Sequence, residues 1–263
     1  MQTDRIAKDI ACALRFYSRL PVPGGDADAH AAPSLDRIAY AIPLAGLVIG
    51  LAGALALLAA LALKLPAFLA ATLAVTALAL ATGGFHEDGL ADTADGLGGG
   101  RDRAQKLAIM RDSRIGSYGA TALMLALLLR IGALAALVTA AGPLRAALTL
   151  MAAGAISRAA GILLLRALPP ARADGAGATF GQPSPDAALS CALVAALAVA
   201  VILVPSFGVG AAFAGLIGPV AALALMARLS GRLIGGATGD VAGATQQVAE
   251  IVFLIGVLIF AGR

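Results

Sequence analysis

The stretch that decides the fold runs from Ile38 to Phe85 and reads IAYAIPLAGLVIGLAGALALLAALALKLPAFLAATLAVTALALATGGF. Its only charged residue is Lys64, which stands close to Pro66 in the middle of the stretch. Each half is long enough for a membrane-spanning helix of about 20 apolar residues. The stretch therefore predicts two transmembrane helices joined by a turn at Lys64 and Pro66.

The composition of the whole chain extends this prediction. The 263 residues are 60% hydrophobic and 13% charged, with a mean hydropathy of +0.92. Soluble domains average about 45–50% apolar and about 25% charged residues, so a water-soluble protein is excluded. We expect residues 1–263 to form a single domain embedded in a lipid bilayer, with no nucleic-acid partner.

Further apolar runs predict the remaining spans, which lie at about 118–141, 144–165, two within 186–228 divided at Pro205 and Gly208, and a short one at about 248–261. The predicted fold class is all-α, a polytopic membrane helix bundle with about seven spans and a range of six to eight. Because Gly46 and Gly50 have the G-x-x-x-G spacing, we also expect a close helix contact there.

The N-terminal segment, residues 1–37, differs from these spans. Within 5–20, Ile6, Ile10, Leu14 and Tyr17 recur at helical spacing between basic residues. This pattern predicts an amphipathic helix that lies at the membrane surface.

The distribution of basic residues predicts the orientation. With seven spans and a cytoplasmic N-terminus, fourteen of the 19 Lys and Arg residues fall in cytoplasmic segments and three in external ones. This asymmetry follows the positive-inside rule. It places three polar segments, 86–117, 166–186 and 228–247, on the cytoplasmic side, where one active site can draw on all of them.

The first polar segment, 86–117, is the candidate catalytic loop, because it holds six acidic and five basic residues. Asp88, Asp92 and Asp95 have the spacing i, i+4 and i+7, which places them on one face if the segment is helical. Three like charges on one face repel each other unless a cation lies between them. Mg²⁺ prefers carboxylate oxygens and substrate phosphates as ligands. The three aspartates therefore predict a Mg²⁺–diphosphate site, and a solvated acidic loop is the alternative.

We call Asp88, Asp92 and Asp95 the acidic stripe. Charged and titratable residues near it in the sequence are candidates for other roles. His86 is either a general base or a structural hydrogen-bond partner. Arg111 and Arg114 flank Asp112 and match phosphate oxygens in geometry, although anchoring beside a membrane helix is the alternative.

Two arginines, Arg130 and Arg158, fall inside predicted spans, where a charge costs at least about 2.5–3.5 kcal/mol and therefore needs a partner or a cavity. Arg158 is the better functional candidate, and a shifted helix boundary would explain Arg130. Arg172 and Asp240 stand in glycine-rich stretches, 171–180 and 235–244, whose backbone can approach an anion, although an ordinary turn is the alternative for each. Asp240 is open to two interpretations, a metal ligand or a contact to a nucleobase or ribose.

Taken together, these motifs resemble the cobalamin synthase (adenosylcobinamide-GDP ribazoletransferase) family. The most specific match is the run GGFHEDGLADTADG at 83–96. The other matching elements are RLPVP at 19–23, residues 109–116, Ser157-Arg158, Ala171-Arg172 and Thr238-Gly239-Asp240. They extend over nearly the whole chain in the family's order. Residues 24–34 match nothing in the family.

The resemblance implies a Mg²⁺-dependent transfer in a bacterial cytoplasmic (inner) membrane. The substrates would be adenosylcobinamide-GDP and α-ribazole or its 5′-phosphate, and the products adenosylcobalamin or its 5′-phosphate and GMP. Asp88, Asp92 and Asp95 would bind the metal, and Asp112 or His86 would accept the proton of the attacking hydroxyl. The candidate substrate-binding residues are Arg111, Arg114, Arg158, Arg172 and Asp240. The oligomeric state stays open, a homo-oligomer included.

Two other functions are alternatives to this one. A CDP-alcohol phosphotransferase is suggested by Asp92-Thr93-Ala94-Asp95-Gly96, but the match to that family breaks at Leu97–Arg101. An ion or Mg²⁺ transporter would also carry charges within its spans. Against a transporter, the acidic cluster falls outside the predicted spans, and these spans lack the paired broken helices of inverted repeats.

Overall fold

The computed structural model describes residues 2–22, 34–174 and 181–261, which form eleven helices. Within these ranges there is no β-strand, only an isolated bridge between Pro170 and Ala237. The helices are α1 (Gln2–Tyr17), α2 (Leu35–Ile38), α3 (Ala41–Ala62), α4 (Ala67–Thr82), α5 (Phe85–Gly99), α6 (Arg103–Ile109), α7 (Ser117–Ala141), α8 (Pro143–Ala167), α9 (Pro185–Phe207), α10 (Val209–Ile234) and α11 (Gly239–Leu258).

The number of spans agrees with the prediction. Six described helices, α3 and α7 to α11, are long and apolar enough to cross a membrane. A seventh span results if α4 and α5, which meet at an angle of 90°, are counted as one. With 16 residues, α4 is only about 24 Å long, against about 30 Å for the hydrocarbon core. An all-α membrane helix bundle with six to eight spans is thus confirmed.

The bend between α4 and α5 is built from two glycines. Gly83 and Gly84 have φ angles of +68° and +72°, in the left-handed region that residues with a Cβ rarely adopt. The chain therefore leaves α4 at Thr82 and continues at Phe85 in a perpendicular direction. The segment predicted as a catalytic loop is largely helical, because α5 packs against α7 and α11 and is stabilised by these contacts.

Close packing of α3 on α8 confirms the contact predicted from Gly46 and Gly50. A Cβ atom added at Gly46 would lie 2.2 Å from the carbonyl oxygen of Gly154, and one added at Gly50 would lie 2.7 Å from Cα of Met151. The two backbones can approach this closely only where side chains are absent.

This contact predicts the effect of a single methyl group. We expect Gly46→Ala to lower the free energy of unfolding by about 1–3 kcal/mol, because the added carbon overlaps the α8 backbone. The matched control is Gly132→Ala in α7, where no atom lies within 4 Å of an added Cβ. Thermal unfolding of the two variants in detergent measures the difference. Equal midpoints would show that the crossing tolerates a side chain.

The last helix begins earlier than the sequence predicted. A short span from about 248 was expected, but α11 extends from Gly239 to Leu258, with the Thr238 hydroxyl accepting a hydrogen bond from Val241 N at its start. The sequence prediction was wrong here because it treated Gln246 and Gln247 as part of a polar loop. Both are buried, since the interior of the bundle offers them polar partners.

The N-terminal helix α1 is helical as predicted, but its apolar side packs on the protein. Leu14 and Tyr17 are buried against the bundle. Asp9 is fully buried and accepts hydrogen bonds of 2.8 Å from Arg37 Nε and from the Tyr40 hydroxyl. These bonds fasten α1 to α2 and to the start of α3.

The three polar segments meet at one end of the bundle. Residues 169–171 pair with Ala237 through two backbone hydrogen bonds of 2.8 Å. Arg103 donates a 3.0 Å hydrogen bond to the carbonyl of Ala171, and Arg111 forms an ion pair with Asp174. Residues 175–180, part of the glycine-rich stretch 171–180, lie outside the described residues. Contacts across the end of the bundle thus bring the three segments together.

Candidate active site

A cleft of about 670 Å³ opens between the end of α1, the α4–α5 bend and the start of α7. Asp88 and Asp92 line it, together with Arg15 and Arg19. The other lining residues are Phe16, Ser18, Thr82, Gly83, Gly84, Phe85, Ala91, Ser113, Ile115 and Leu123. Carboxylates and guanidinium groups therefore share one cavity at the polar end of the bundle.

The acidic stripe divides between two environments. Asp88 and Asp92 are one helical turn apart on α5 and both reach the cleft. Asp95, one turn further on, is 8% exposed and accepts hydrogen bonds from Gly116 N at 2.7 Å and Gly119 N at 2.8 Å. Asp95 thus satisfies free backbone N–H groups at the N-terminus of α7.

Glycine is required at both donors to Asp95. A Cβ at Gly116 or Gly119 would lie within 2.4 Å of a carboxylate oxygen of Asp95. The two hydrogen bonds to Asp95 therefore join α5 to α7 with no side chain between the helices. They hold the C-terminal end of the acidic stripe in place.

Asp240 and Arg172 lie next to the stripe. Gly89 packs against Asp240, because a Cβ at Gly89 would lie 2.9 Å from the Asp240 carbonyl oxygen. Asp240 Oδ2 accepts a 2.8 Å hydrogen bond from Arg172 Nη2. The charges of Asp88, Asp240, Asp95 and Arg172 all act on the Asp92 carboxylate. The tertiary structure thus brings together candidates that lie up to 152 positions apart in the sequence.

The donor set can be compared with the needs of a metal ion. Among the described residues no three His, Cys, Asp or Glu side chains are close enough together to form a metal site by themselves. Asp88 and Asp92 nevertheless present carboxylate oxygens to a cleft with room for a substrate. Mg²⁺ is commonly held by one or two carboxylates, with substrate phosphates and water completing its shell. The residues present fit Mg²⁺ on these terms.

Arg111 and Arg114, the predicted phosphate clamps, are exposed and ion-paired. Arg111 pairs with Asp174, and the Arg114 guanidinium pairs with Asp112, with Nη2 and Oδ2 at 2.6 Å. Ser113, between them, lines the cleft, whereas the arginines themselves are not among its lining residues. Each guanidinium must exchange or share its carboxylate partner before it can bind a phosphate.

Asp112 is a weak base in this arrangement. Hydrogen bonds from the Arg114 side chain and backbone lower the pKa of Asp112 to about 2. Because this pKa lies far below neutrality, the carboxylate stays ionised from pH 5 to 9. The proposed role of Asp112 as proton acceptor must therefore work against a low basicity.

The pKa of Asp112 predicts a pH profile. We expect Asp112→Asn to leave the midpoint of any acidic limb of kcat between pH 5 and 9 unchanged, whatever its effect on the size of kcat. The reason is that Asp112 does not change protonation state in that interval. Steady-state rates of both proteins across the interval provide the measurement. Loss or displacement of the limb in the variant would identify Asp112 as the titrating group.

His86 and Arg158 are buried beneath the cleft and do not line it. His86 stacks on Tyr17 with ring centroids 5.7 Å apart, and Gln246 hydrogen-bonds its side chain. Arg158 donates a 2.9 Å hydrogen bond to the Gly154 carbonyl and lies 6.0 Å from the centroid of the Tyr17 ring. These contacts favour a structural role for both residues, namely holding α1 against α5 and α8.

Arg130 lies well inside α7 and is not at a helix boundary. It is 2% exposed and forms ion pairs of 2.8 Å with Glu87 and with Glu250. Gln247 accepts a further hydrogen bond of 3.1 Å. The sequence signal for this cluster was the presence of charges in spans, but their pairing could not be read from spacing.

Comparisons with known proteins identify the family of the chain. A family model described as cobalamin-5-phosphate synthase matches residues 9–258. The chain belongs to this family. Curated relatives named adenosylcobinamide-GDP ribazoletransferase include one from Xanthobacter autotrophicus, 75% identical over 100% of both chains, and one from Azorhizobium caulinodans, 62% identical over 99% of both. A third, from Rhizobium etli, is 46% identical over 97% of both. No solved structure matches the chain.

Membership of the cobalamin-5-phosphate synthase family confirms the resemblance that the sequence motifs indicated. The matched range includes α1 from Asp9 onward and the end of that helix. The sequence favoured membrane anchoring for the basic residues there, with a cap over the site as the alternative, and it did not single out Arg15 and Arg19 as cleft residues. The available signal was the RLPVP element that begins at Arg19.

Proposed function

We propose that this chain catalyses the reaction named for its relatives, the transfer of the cobinamide phosphoryl group from adenosylcobinamide-GDP to α-ribazole or its 5′-phosphate. A hydroxyl oxygen of the ribazole forms a bond to the phosphorus that carries the cobinamide. The bond from this phosphorus to the GMP oxygen breaks, and the hydroxyl proton passes to a base or to water. The products are adenosylcobalamin, or its 5′-phosphate, and GMP.

The observation that carries the proposal is the pair Asp88 and Asp92 in one cleft at the polar end of the bundle. Little covalent chemistry is required of the protein in phosphoryl transfer, where positioning and charge stabilisation dominate. Asp88 and Asp92 would hold Mg²⁺. When bound, this ion neutralises negative charge on the diphosphate.

The remaining residues of the site have supporting roles in this proposal. Asp95 fixes the distance between α5 and α7 and so the width of the cleft beside Asp92. Arg172 holds Asp240 beside the stripe, where its charge acts on Asp92. Asp112 and His86 are both absent from the cleft lining, in which the described carboxylates are those of Asp88 and Asp92.

We also propose that the cleft faces the cytoplasm of a bacterial cell, with the protein in the cytoplasmic membrane. The excess of Lys and Arg in the segments at this end of the bundle supports the orientation. Both proposed substrates are polar and adenosylcobinamide-GDP carries a diphosphate, so a site open to water is required.

A direct assay tests the proposed function. The protein is purified in detergent and supplied with adenosylcobinamide-GDP, α-ribazole and Mg²⁺, and the mixture is analysed for GMP and a cobalamin. We expect equal amounts of the two products, and loss of both when Mg²⁺ is chelated. Absence of product under conditions where one of the named relatives is active would refute the proposal. Turnover that persists after chelation would refute the metal.

A further inference from the structure

Arg19 lines the cleft, and contacts with the α4–α5 bend fix its position. Its backbone N–H donates a 2.7 Å hydrogen bond to the carbonyl of Ala81, in the last turn of α4. Its side chain crosses Gly83, since a Cβ added to that glycine would lie 2.1 Å from Arg19 Nε. The α4–α5 bend, which sets the direction of α5, therefore contacts both the backbone and the side chain of Arg19.

The Arg19 guanidinium has no protein partner among the residues that the structure describes. Its side chain is exposed and lines the cleft that contains Asp88 and Asp92. The arginines that sequence reasoning selected all bind protein groups instead: Asp174 for Arg111, Asp112 for Arg114, the Gly154 carbonyl for Arg158 and Asp240 for Arg172. Of these arginines, Arg19 is thus the one with its hydrogen-bond donors available to a ligand.

We propose that Arg19 binds the diphosphate oxygens of the nucleotide-bearing substrate. This inference rests on the proposed function, because that function supplies a diphosphate to the cleft. A guanidinium presents two parallel N–H donors that match a phosphate group. Because Arg19 lines the same cleft as Asp88 and Asp92, it would neutralise phosphate charge that Mg²⁺ leaves uncompensated.

Gly83 is required for this position of the Arg19 side chain. Its φ of +68° belongs to the left-handed region, and a side chain there would occupy the position of the Arg19 guanidinium stem. Glycine at this position both permits the bend and leaves room for Arg19 to cross it.

Kinetic analysis of Arg19→Gln tests the assignment. We expect kcat/KM for adenosylcobinamide-GDP to fall about 10²-fold, with part of the loss appearing as a higher KM. Arg19→Lys, which keeps the charge but loses the paired donors, should recover part of this loss. The control is Lys8→Gln, which removes a positive charge from the exposed side of α1 far from the cleft lining.

The pattern of results separates the possible roles of Arg19. A kcat/KM within twofold of wild type in Arg19→Gln would overturn the proposal, as would an equal loss in Lys8→Gln, which would indicate membrane anchoring. A rise in KM confined to α-ribazole 5′-phosphate would also overturn it, since the anion would then be the acceptor's phosphate. An effect seen only when phospholipid is added to the detergent would assign Arg19 to lipid headgroups and reject the diphosphate.

A binding measurement gives a readout independent of turnover. Inorganic pyrophosphate with Mg²⁺ is titrated into wild-type protein and Arg19→Gln by calorimetry. We expect Kd to rise about tenfold or more in the variant, and an unchanged Kd would contradict the assignment. If the wild-type protein forms no cobalamin, the proposed function fails, whereas normal wild-type turnover with an unaffected variant rejects only the role of Arg19.

Discussion

Asp92→Asn is expected to lower kcat by about 10²- to 10³-fold while the protein still inserts and purifies normally. The amide keeps the size of the side chain but removes the negative charge at the centre of the acidic stripe. Asp92 lies in the cleft one turn from Asp88, and the charges of three other aspartates act on it. Removing its charge therefore weakens the proposed Mg²⁺ site and relieves repulsion at the same time.

Relief of repulsion between the carboxylates should also change the stability of Asp92→Asn. Because like charges near one another destabilise the protein without metal, the variant should unfold at the same or a higher temperature than wild type in the absence of Mg²⁺. Product formation and thermal unfolding, each measured with and without Mg²⁺, provide the two readouts.

The matched control for Asp92→Asn is Asp102→Asn. Asp102 is exposed in the same polar segment and starts α6 by accepting a hydrogen bond from Gln105 N, a role that asparagine fills equally well. We expect this variant to retain wild-type activity. Near-normal turnover in Asp92→Asn would show that the stripe is not the metal site.

Arg130→Gln is expected to destabilise the protein by about 3–5 kcal/mol, the usual cost of leaving a buried charge without its partner. Glu87 and Glu250 both depend on this one guanidinium, and all three side chains are largely buried. Since Glu87 precedes Asp88 on α5, activity should also fall through displacement of the stripe. The thermal unfolding midpoint in detergent, followed together with product formation, measures both effects.

A second substitution distinguishes the ion pairs from simple packing. In Arg130→Gln combined with Glu250→Gln, one of the two unpaired charges is removed, so the double variant should be more stable than Arg130→Gln alone. Arg101→Gln, at an exposed position in the same polar end, should leave the midpoint unchanged. A midpoint for Arg130→Gln equal to that of Arg101→Gln would contradict the proposed stabilisation.

The order of the helices followed from the sequence because each span is a local property. Long apolar runs, the turn at Lys64 and Pro66, and the division at Gly208 all appear as helix boundaries in the structure. The exception is the start of α11, where Gln246, Gln247 and Glu250 read as polar from sequence. Their partners come from α5 and α7, so no window of sequence around α11 contains the information.

The sequence could not predict which group each charged side chain binds. Asp88, Asp92 and Asp95 look equivalent in a helical projection. In the structure, however, Asp95 caps the N-terminus of α7, whereas Asp88 and Asp92 line the cleft. Arg19 and Arg114 look equally suited to a phosphate, yet Asp112 occupies only Arg114. Both distinctions depend on which elements pack together.

By itself, the sequence determined that this protein is a membrane helix bundle, and it predicted that the chemistry lies in a carboxylate stripe at the polar end. Burial in lipid selects for apolar runs of fixed length, and the proposed metal-assisted phosphoryl transfer would select for oxygen ligands at helical spacing, so both would leave local patterns. Only the tertiary structure decided which charged groups face the cleft and which are neutralised inside the protein. That choice depends on contacts such as Arg130 with Glu250 and Arg172 with Asp240, which join residues far apart in the chain.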